Sequence, residues 1–296
     1  MNLAPPTFLL PALSAFALLA LTVPAQPQGT DYSKVQITAT KITAHFYTLE
    51  GSGGMIGVLA GPDGVLMVDS QFAPLTDKIV AAVKQISSSP IRFLIDTHVH
   101  GDHTGGNENL GKLGVTIFAR EELRDRLAKG GTAPPGLPVV TYTGKLTFHL
   151  NTERVELIPV PAAHTDGDTM VFFPDSKVLM TGDFYRSVGY PNIDLANGGS
   201  LKGMLAGLQA IADVAAPDTK IIPGHGPTVD RLAVLSQRDM ILAIRDKVAA
   251  LVRQGKTQEE VVAALPTADY DAKVPTAATT SARFVGQLYS EIKAGK

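Results

Sequence analysis

The sequence predicts a mixed α/β (α+β) domain, on three observations. Short β-branched runs separated by turn residues open the chain after residue 34. From there on, apolar strands alternate with segments of helical period. The 296 residues, 45% hydrophobic and 18% charged, are enough to bury one large core.

Residues 35–39 and 42–47 alternate in polarity, and the apolar runs 55–60 and 65–69 are joined by Gly61-Pro62-Asp63-Gly64. These turn-forming residue types between strand-forming runs predict an antiparallel meander. Residues 75–86 have helical spacing, with Ile79, Val80, Val83 and Ile86 on one apolar face, and Ser87-Ser88-Ser89-Pro90 ends the pattern. Ile91-Arg92-Phe93-Leu94-Ile95 then reads as a buried strand. A helix is expected over 121–129. The Gly/Pro-rich segment 130–138 is a loop that either flanks the substrate or merely connects elements. Strands follow at 155–160, 169–173, 178–180 and 221–222, with exterior helices at 200–215 and 228–253. The tail 257–296 holds two helical patterns separated by Pro275, and Thr279-Thr280-Ser281 supplies hydroxyls to cap the second.

A formal net charge of -2, with no Lys/Arg run, leaves no electrostatic footprint for nucleic acid, so a small-molecule substrate is expected. The chain contains no cysteine, which excludes a cysteine nucleophile, a thiolate metal ligand and any disulfide. Residues 8–23 are apolar but interrupted by Pro11, and Val23-Pro24-Ala25 precedes Gln26 in the pattern of a signal-peptidase site. A spanning helix needs about 20 apolar residues. Cleavage after Ala25 is therefore expected over retention as an anchor, giving a periplasmic or secreted protein with no stable membrane insertion.

The chemistry is concentrated in His98-Val99-His100-Gly101-Asp102-His103, immediately past the strand that ends at Ile95. Three imidazoles and a carboxylate at the end of a rigid element suit a borderline-soft divalent metal. Neighbours on an extended segment cannot all reach one ion, so either some are passengers or there are two ions. Three further motifs lie at strand ends. His164 follows the run 155–160, Gly182-Asp183 follows Val178-Leu179-Met180, and Gly224-His225-Gly226 follows Ile221-Ile222. His45 and His149 sit in strand-like patterns without a partner motif and are left out of the site.

His-x-His-x-Asp-His, then a lone His, then Gly-Asp, then Gly-His-Gly, in that order over roughly 35–230, resembles the metallo-β-lactamase superfamily. The resemblance implies an αββα sandwich of two mixed sheets flanked by helices. Residues 26–296 would form one such domain, with a helical C-terminal extension over about 231–296. It also implies two zinc ions, one held by His98, His100 and His164, the second by Asp102, His103 and His225, with Asp183 bridging. Asp102 is the expected catalytic residue. Manganese and iron use the same ligand types. Asp69, similar in setting, is implied to be structural near the site rather than a ligand.

Two divalent ions lower the pKa of shared water toward neutrality and polarise a carbonyl, so no side-chain nucleophile is required. The expected function is a zinc-dependent hydrolase that opens an amide, ester or lactone bond, with β-lactams among the candidate substrates. The alternatives are a thioester or phosphoester hydrolase and a noncatalytic metal-binding protein. Asp183 stands where many zinc β-lactamases carry Cys or Ser, which weighs against β-lactams, and His100 where the diiron branch typically carries Glu. Tyr185, Arg186 and Tyr190 follow Asp183 and are expected at the pocket rim.

Overall fold

The computed structural model describes Met1 and residues 30–295. The leader and its expected cleavage point after Ala25 lie outside the described residues. The first sheet runs in chain order through β1 (Thr38–Lys41), β2 (Phe46–Glu50), β3 (Ile56–Leu59), β4 (Val65–Val68), β5 (Ile91–Ile95), β6 (Thr116–Arg120) and β7 (Val140–Tyr142). Its first four strands pair antiparallel and its last four parallel, sharing β4. The second sheet holds β8 (Leu146–Leu150), β9 (Glu153–Pro159), β10 (Thr169–Phe173), β11 (Val178–Met180) and β12 (Lys220–Ile222), in the order β12-β11-β10-β9-β8. Only β12 is parallel to its neighbour there.

Strand periodicity sorts the layers. In β4, Leu66 and Val68 point between the sheets toward Val171, Phe173 and Ile222, whereas Val65 and Met67 point outward into the cluster with Ile79 and Val83 of α1 (Thr76–Ile86). Phe46 and Phe173 meet edge to face across the sheets, their centroids 4.8 Å apart. The outer face of the second sheet is covered by α5 (Leu201–Val214), α6 (Arg231–Arg253) and α9 (Ala277–Lys293), giving the expected αββα sandwich of two mixed sheets. The remaining helices are α2 (Gly101–Thr104), α3 (Asn107–Lys112), α4 (Glu121–Lys129), α7 (Gln258–Ala263) and α8 (Ala268–Asp271). No helix among the described residues is long and apolar enough to cross a membrane.

Several local expectations shift. Residues 42–45 make a reversal rather than the start of a strand, because Thr43 Oγ1 and the Phe46 carbonyl satisfy the backbone there. The loop 130–138 connects α4 to β7 and packs on α3, so close that a Cβ on Gly111 would stand 1.8 Å from the Pro135 carbonyl oxygen. The C-terminal tail holds three helices, not two. Its last begins after Thr276, so Thr279 and Thr280 lie inside α9 and donate their hydroxyls back to the Thr276 carbonyl, each at 3.0 Å, instead of capping it. Pro275 lies two residues before that start, and Thr276 takes a left-handed conformation, φ 58°.

Candidate metal centre

The chain leaves β5 at Ile95, bends through residues 97–99 to His100, whose backbone is extended, and then turns into the short α2. That change of conformation is why one six-residue stretch can aim several side chains inward. His98 and His100 come from the bent segment before the helix, Asp102 and His103 from the helical turn, and the His103 amide donates to the His100 carbonyl at 3.0 Å. His164 follows β9, Asp183 follows β11 and His225 follows β12. The structure brings all seven together, in three overlapping groups: His98, His100 and His164; His98, His103 and Asp183; Asp102, His103 and His225. His45 and His149 belong to none of them.

Four imidazoles are each fixed by the nitrogen that faces away from the cluster. His103 Nδ1 lies 2.7 Å from Asp69 Oδ2, His100 Nε2 2.7 Å from Asp194 Oδ2, and His164 Nδ1 2.7 Å from the Asn192 carbonyl oxygen. Carboxylates and carbonyls only accept, so these nitrogens carry the protons. His98 Nδ1 is 3.1 Å from Thr97 Oγ1, whose single proton goes to Asp69 Oδ2 at 2.8 Å, so His98 Nδ1 is again the donor. In the neutral form of each ring the opposite nitrogen presents a lone pair to the interior. His100 Nδ1 and His164 Nε2 face each other at 2.9 Å, an approach of two lone pairs that requires a proton or a cation. Held outer nitrogens of this kind are how proteins orient metal-binding histidines.

The innermost atoms give the same indication. His98 Nε2, His103 Nε2 and Asp183 Oδ1 are buried without a hydrogen-bond partner. Asp183 Oδ1 is 3.3 Å from His103 Nε2 but lacks hydrogen-bond directionality. Unsatisfied buried polar atoms are costly unless a further ligand completes them. His225 Nε2 lies 3.1 Å from Asp102 Oδ2 and 3.4 Å from Asp183 Oδ2. Two glycines make this density possible: a Cβ on Gly54 would stand 2.1 Å from His103 Cε1, and one on Gly224 2.0 Å from Asp183 Oδ1. A donor set of imidazole nitrogens and carboxylate oxygens without thiolate fits divalent zinc, manganese or iron.

The electrostatics divide the cluster. Burial, with His103 nearby, holds the His98 imidazole well below its usual pKa, and burial lowers His164 to about 4, so both are neutral and ready to ligate. Burial opposes charge on His103 too, but Asp69 and Asp183 outweigh it and raise its pKa. Asp183 is held well below the ordinary carboxylate range because His103 and His225 outweigh its burial. Two neutral and two proton-holding imidazoles therefore surround one ionised carboxylate.

The sequence profile of the metallo-beta-lactamase superfamily matches residues 49–225, which include the whole cluster. The chain belongs to that superfamily. Within it, the chain is 23% identical over 256 residues to a linear primary-alkylsulfatase of a Pseudomonas species, covering 69% of this chain and 48% of that protein. It is 34% identical over 172 residues to a hydroxyacylglutathione hydrolase of Brucella anthropi, covering 55% and 60%. The chain thus spans only about half to three-fifths of these relatives. A solved metallo-beta-lactamase from Pontibacter korlensis shares the fold with a TM-score of 0.59 at 21% identity, covering 69% of this chain and 99% of that one.

Two rim expectations are overturned. Tyr190 is fully buried, stacks on Phe284 at 5.7 Å and donates its hydroxyl to Asp271 Oδ1 at 2.6 Å, so it belongs to the core under α9. Tyr185 is buried as well and lines a cavity of about 400 Å³ between α6 and the segment 270–275. Sequence reading missed Asp194 and Asn192, which hold His100 and His164, because neither lies in a motif. Gln287 of α9 in turn donates to Asn192 Oδ1 at 2.8 Å and accepts from the Ile193 amide at 3.0 Å. The C-terminal helix thus braces the loop that sets two of the histidines.

Proposed function

We propose that this chain is a dinuclear zinc hydrolase of small molecules that opens an amide, ester or lactone bond, with β-lactams among its substrates. The carrying observation is the convergence of seven side chains whose inward atoms, His98 Nε2, His103 Nε2 and Asp183 Oδ1, lack any other partner. His98, His100 and His164 would hold one ion, Asp102, His103 and His225 the other, and Asp183 both. When bound, the ions supply Lewis acidity and lower the pKa of water at the site. Asp102 is the most accessible carboxylate of the cluster, its side chain 27% exposed against 8% for Asp183, and it is the residue positioned to exchange a proton with substrate at the mouth. Asp194, Asp69, Asn192 and Thr97 keep the imidazoles in register during turnover.

A second reading, thioester hydrolysis, is favoured by the 34% identity to the hydroxyacylglutathione hydrolase. Export belongs to the same proposal, with a mature protein beginning at Gln26 and acting in the periplasm or outside the cell; the mass of the exported form tests it. Function is tested by metal analysis of the chain and of Asp102→Ala, together with a hydrolysis panel of chromogenic β-lactams, acyl lactones, thioesters and phosphodiesters. Turnover of an amide, ester or lactone with about two zinc per chain is expected. Full metal content with no turnover on any member would leave a noncatalytic metal-binding protein, and turnover without bound metal would overturn the mechanism.

A further inference from the structure

The loop that carries His164 and the loop that carries Asn192 and Asp194 share one cation. Arg126, in the last turn of α4, donates Nε to Asp166 Oδ1 and Nη2 to Asp166 Oδ2, each at 2.6 Å, two residues after His164. Its third nitrogen, Nη1, donates to Asn197 Oδ1 at 3.0 Å. Arginine only donates and a carboxylate only accepts, so the Asn197 amide has one orientation, and its Nδ2 donates to Asp194 Oδ2 at 2.7 Å. The same oxygen accepts from His100 Nε2, also at 2.7 Å. An unbroken line of side chains therefore runs from α4 to the imidazole that faces His164 across 2.9 Å.

The two loops are already joined through their backbones, since the Asp166 amide donates to the Asn197 carbonyl and the Asp194 amide to the His164 carbonyl, both at 2.9 Å. Stability is therefore a poor reason for the guanidinium. Arg126 and Asp166, with side chains 27% and 31% exposed, make an ion pair that water screens and that contributes little to folding. The Asn197 amide holds Asp194 Oδ1 at 3.1 Å and leaves Oδ2 to be set by the Asn197 side chain, which the planar fork of Arg126 locks. The fit is close: Gly198 has φ 80°, and a Cβ there would stand 2.8 Å from Asp166 Oδ2 and 3.0 Å from Arg126 Nη2. The ligands assigned to the second ion lie outside this line, His103 being held by Asp69 while His225 meets Asp102 and Asp183. We propose that Arg126 is a positioning residue of the metal centre, which holds His100 against His164 for one ion and leaves the other ion's ligands untouched. This inference rests on the dinuclear reading and gives α4 a part in it.

Two measurements on the full chain test the role. In the first, proton NMR of the metal-free chain with isotope-labelled histidine follows the imidazole N–H signals, that of His100 assigned by its loss in His100→Gln and that of His103 by its loss in Asp69→Ala. The His100 signal is expected to broaden into exchange with water in Arg126→Ala and to return in part in Arg126→Lys, which restores the charge without the fork. The His103 signal, held by Asp69, should stay as in the parent. In the second, a cobalt titration followed by absorption resolves two binding steps, one of which His164→Ala removes. That step should weaken about tenfold in Arg126→Ala, the lower end of the loss of an outer partner of a ligating imidazole, with the other step and the Tm of the metal-free chain close to the parent. Alanine keeps the helical preference of α4, and Asn197→Ala, which cuts the same link from the loop, should reproduce both changes. An unchanged His100 signal or an unchanged cobalt step in both variants overturns the positioning role. Equal weakening of both cobalt steps with a lowered Tm overturns it too, and would make Arg126 a packing residue. If the parent binds no cobalt but its His100 signal still depends on Arg126, the dinuclear reading fails and the positioning of His100 stands.

Discussion

Asp69 Oδ2 lies 2.7 Å from His103 Nδ1, and Asp69 holds this position with a backbone φ of 63°. A left-handed conformation is uncommon for a residue with a side chain and persists where surrounding contacts over-determine it. Here the contacts are the Thr97 amide to Oδ1 and the Thr97 hydroxyl to Oδ2, both at 2.8 Å, which tie the end of β4 to the end of β5. One carboxylate therefore orients His103 directly and His98 through Thr97.

Asp69→Ala should weaken metal binding about 10- to 100-fold, the usual effect of losing the outer partner of a ligating imidazole, while leaving all seven inward side chains in place. Competition with a chelator of known affinity measures it. Wild-type affinity and stoichiometry in the variant would remove Asp69 from the centre.

Gly224→Ala should displace Asp183, since the added Cβ would stand 2.0 Å from its buried Oδ1. Metal content after dialysis is expected to fall well below that of the parent, with secondary structure retained by circular dichroism. Parent-level metal content in the variant would show that the carboxylate moves freely and does not gather the ions.

Metal binding should release protons and strengthen with pH. Without metal, burial disfavours charge on His225, but hydrogen bonds to Asp102 and Asp183 outweigh it and raise its pKa to about 9. An unfolded histidine titrates near ~6.5. The stability this group contributes is therefore full below about 6.5 and is lost as pH rises through about 9. Coordination needs the neutral ring, so near neutral pH the incoming ion displaces that proton. Titration calorimetry in two buffers of different ionisation enthalpy should give different apparent heats; identical heats would contradict the assignment.

Gln287→Ala should loosen the loop that carries Asn192, with a modest loss of stability of roughly 0.5–1.5 kcal/mol and a larger proportional loss of metal from the group of His98, His100 and His164. Urea unfolding of the metal-free chain separates the two effects. Equal losses of stability with and without metal would make α9 a packing element only.

The seven inward side chains were legible because each sits at a strand end in a local pattern of histidine, aspartate and glycine, and strand ends are readable from apolar runs. The short α2 was not legible: four residues carry too little periodicity to distinguish a helical turn from an extended motif, yet that turn is what lets Asp102 and His103 share a site with His98. Tyr190 was misplaced for a related reason, since closeness to Asp183 in sequence says nothing about which face of the loop a ring takes.

By itself, the sequence determined the metal-binding character of the chain and the order in which the inward residues arrive, consequences of local composition and period, while its two mixed sheets followed from the family resemblance that those motifs carry. The tertiary structure decided what no local pattern encodes. Asp194 and Asn192 became the outer partners of His100 and His164, and Gln287 became the brace of Asn192. The longest of these relationships join residues about 95 positions apart, and only the packing of the folded chain sets their distances.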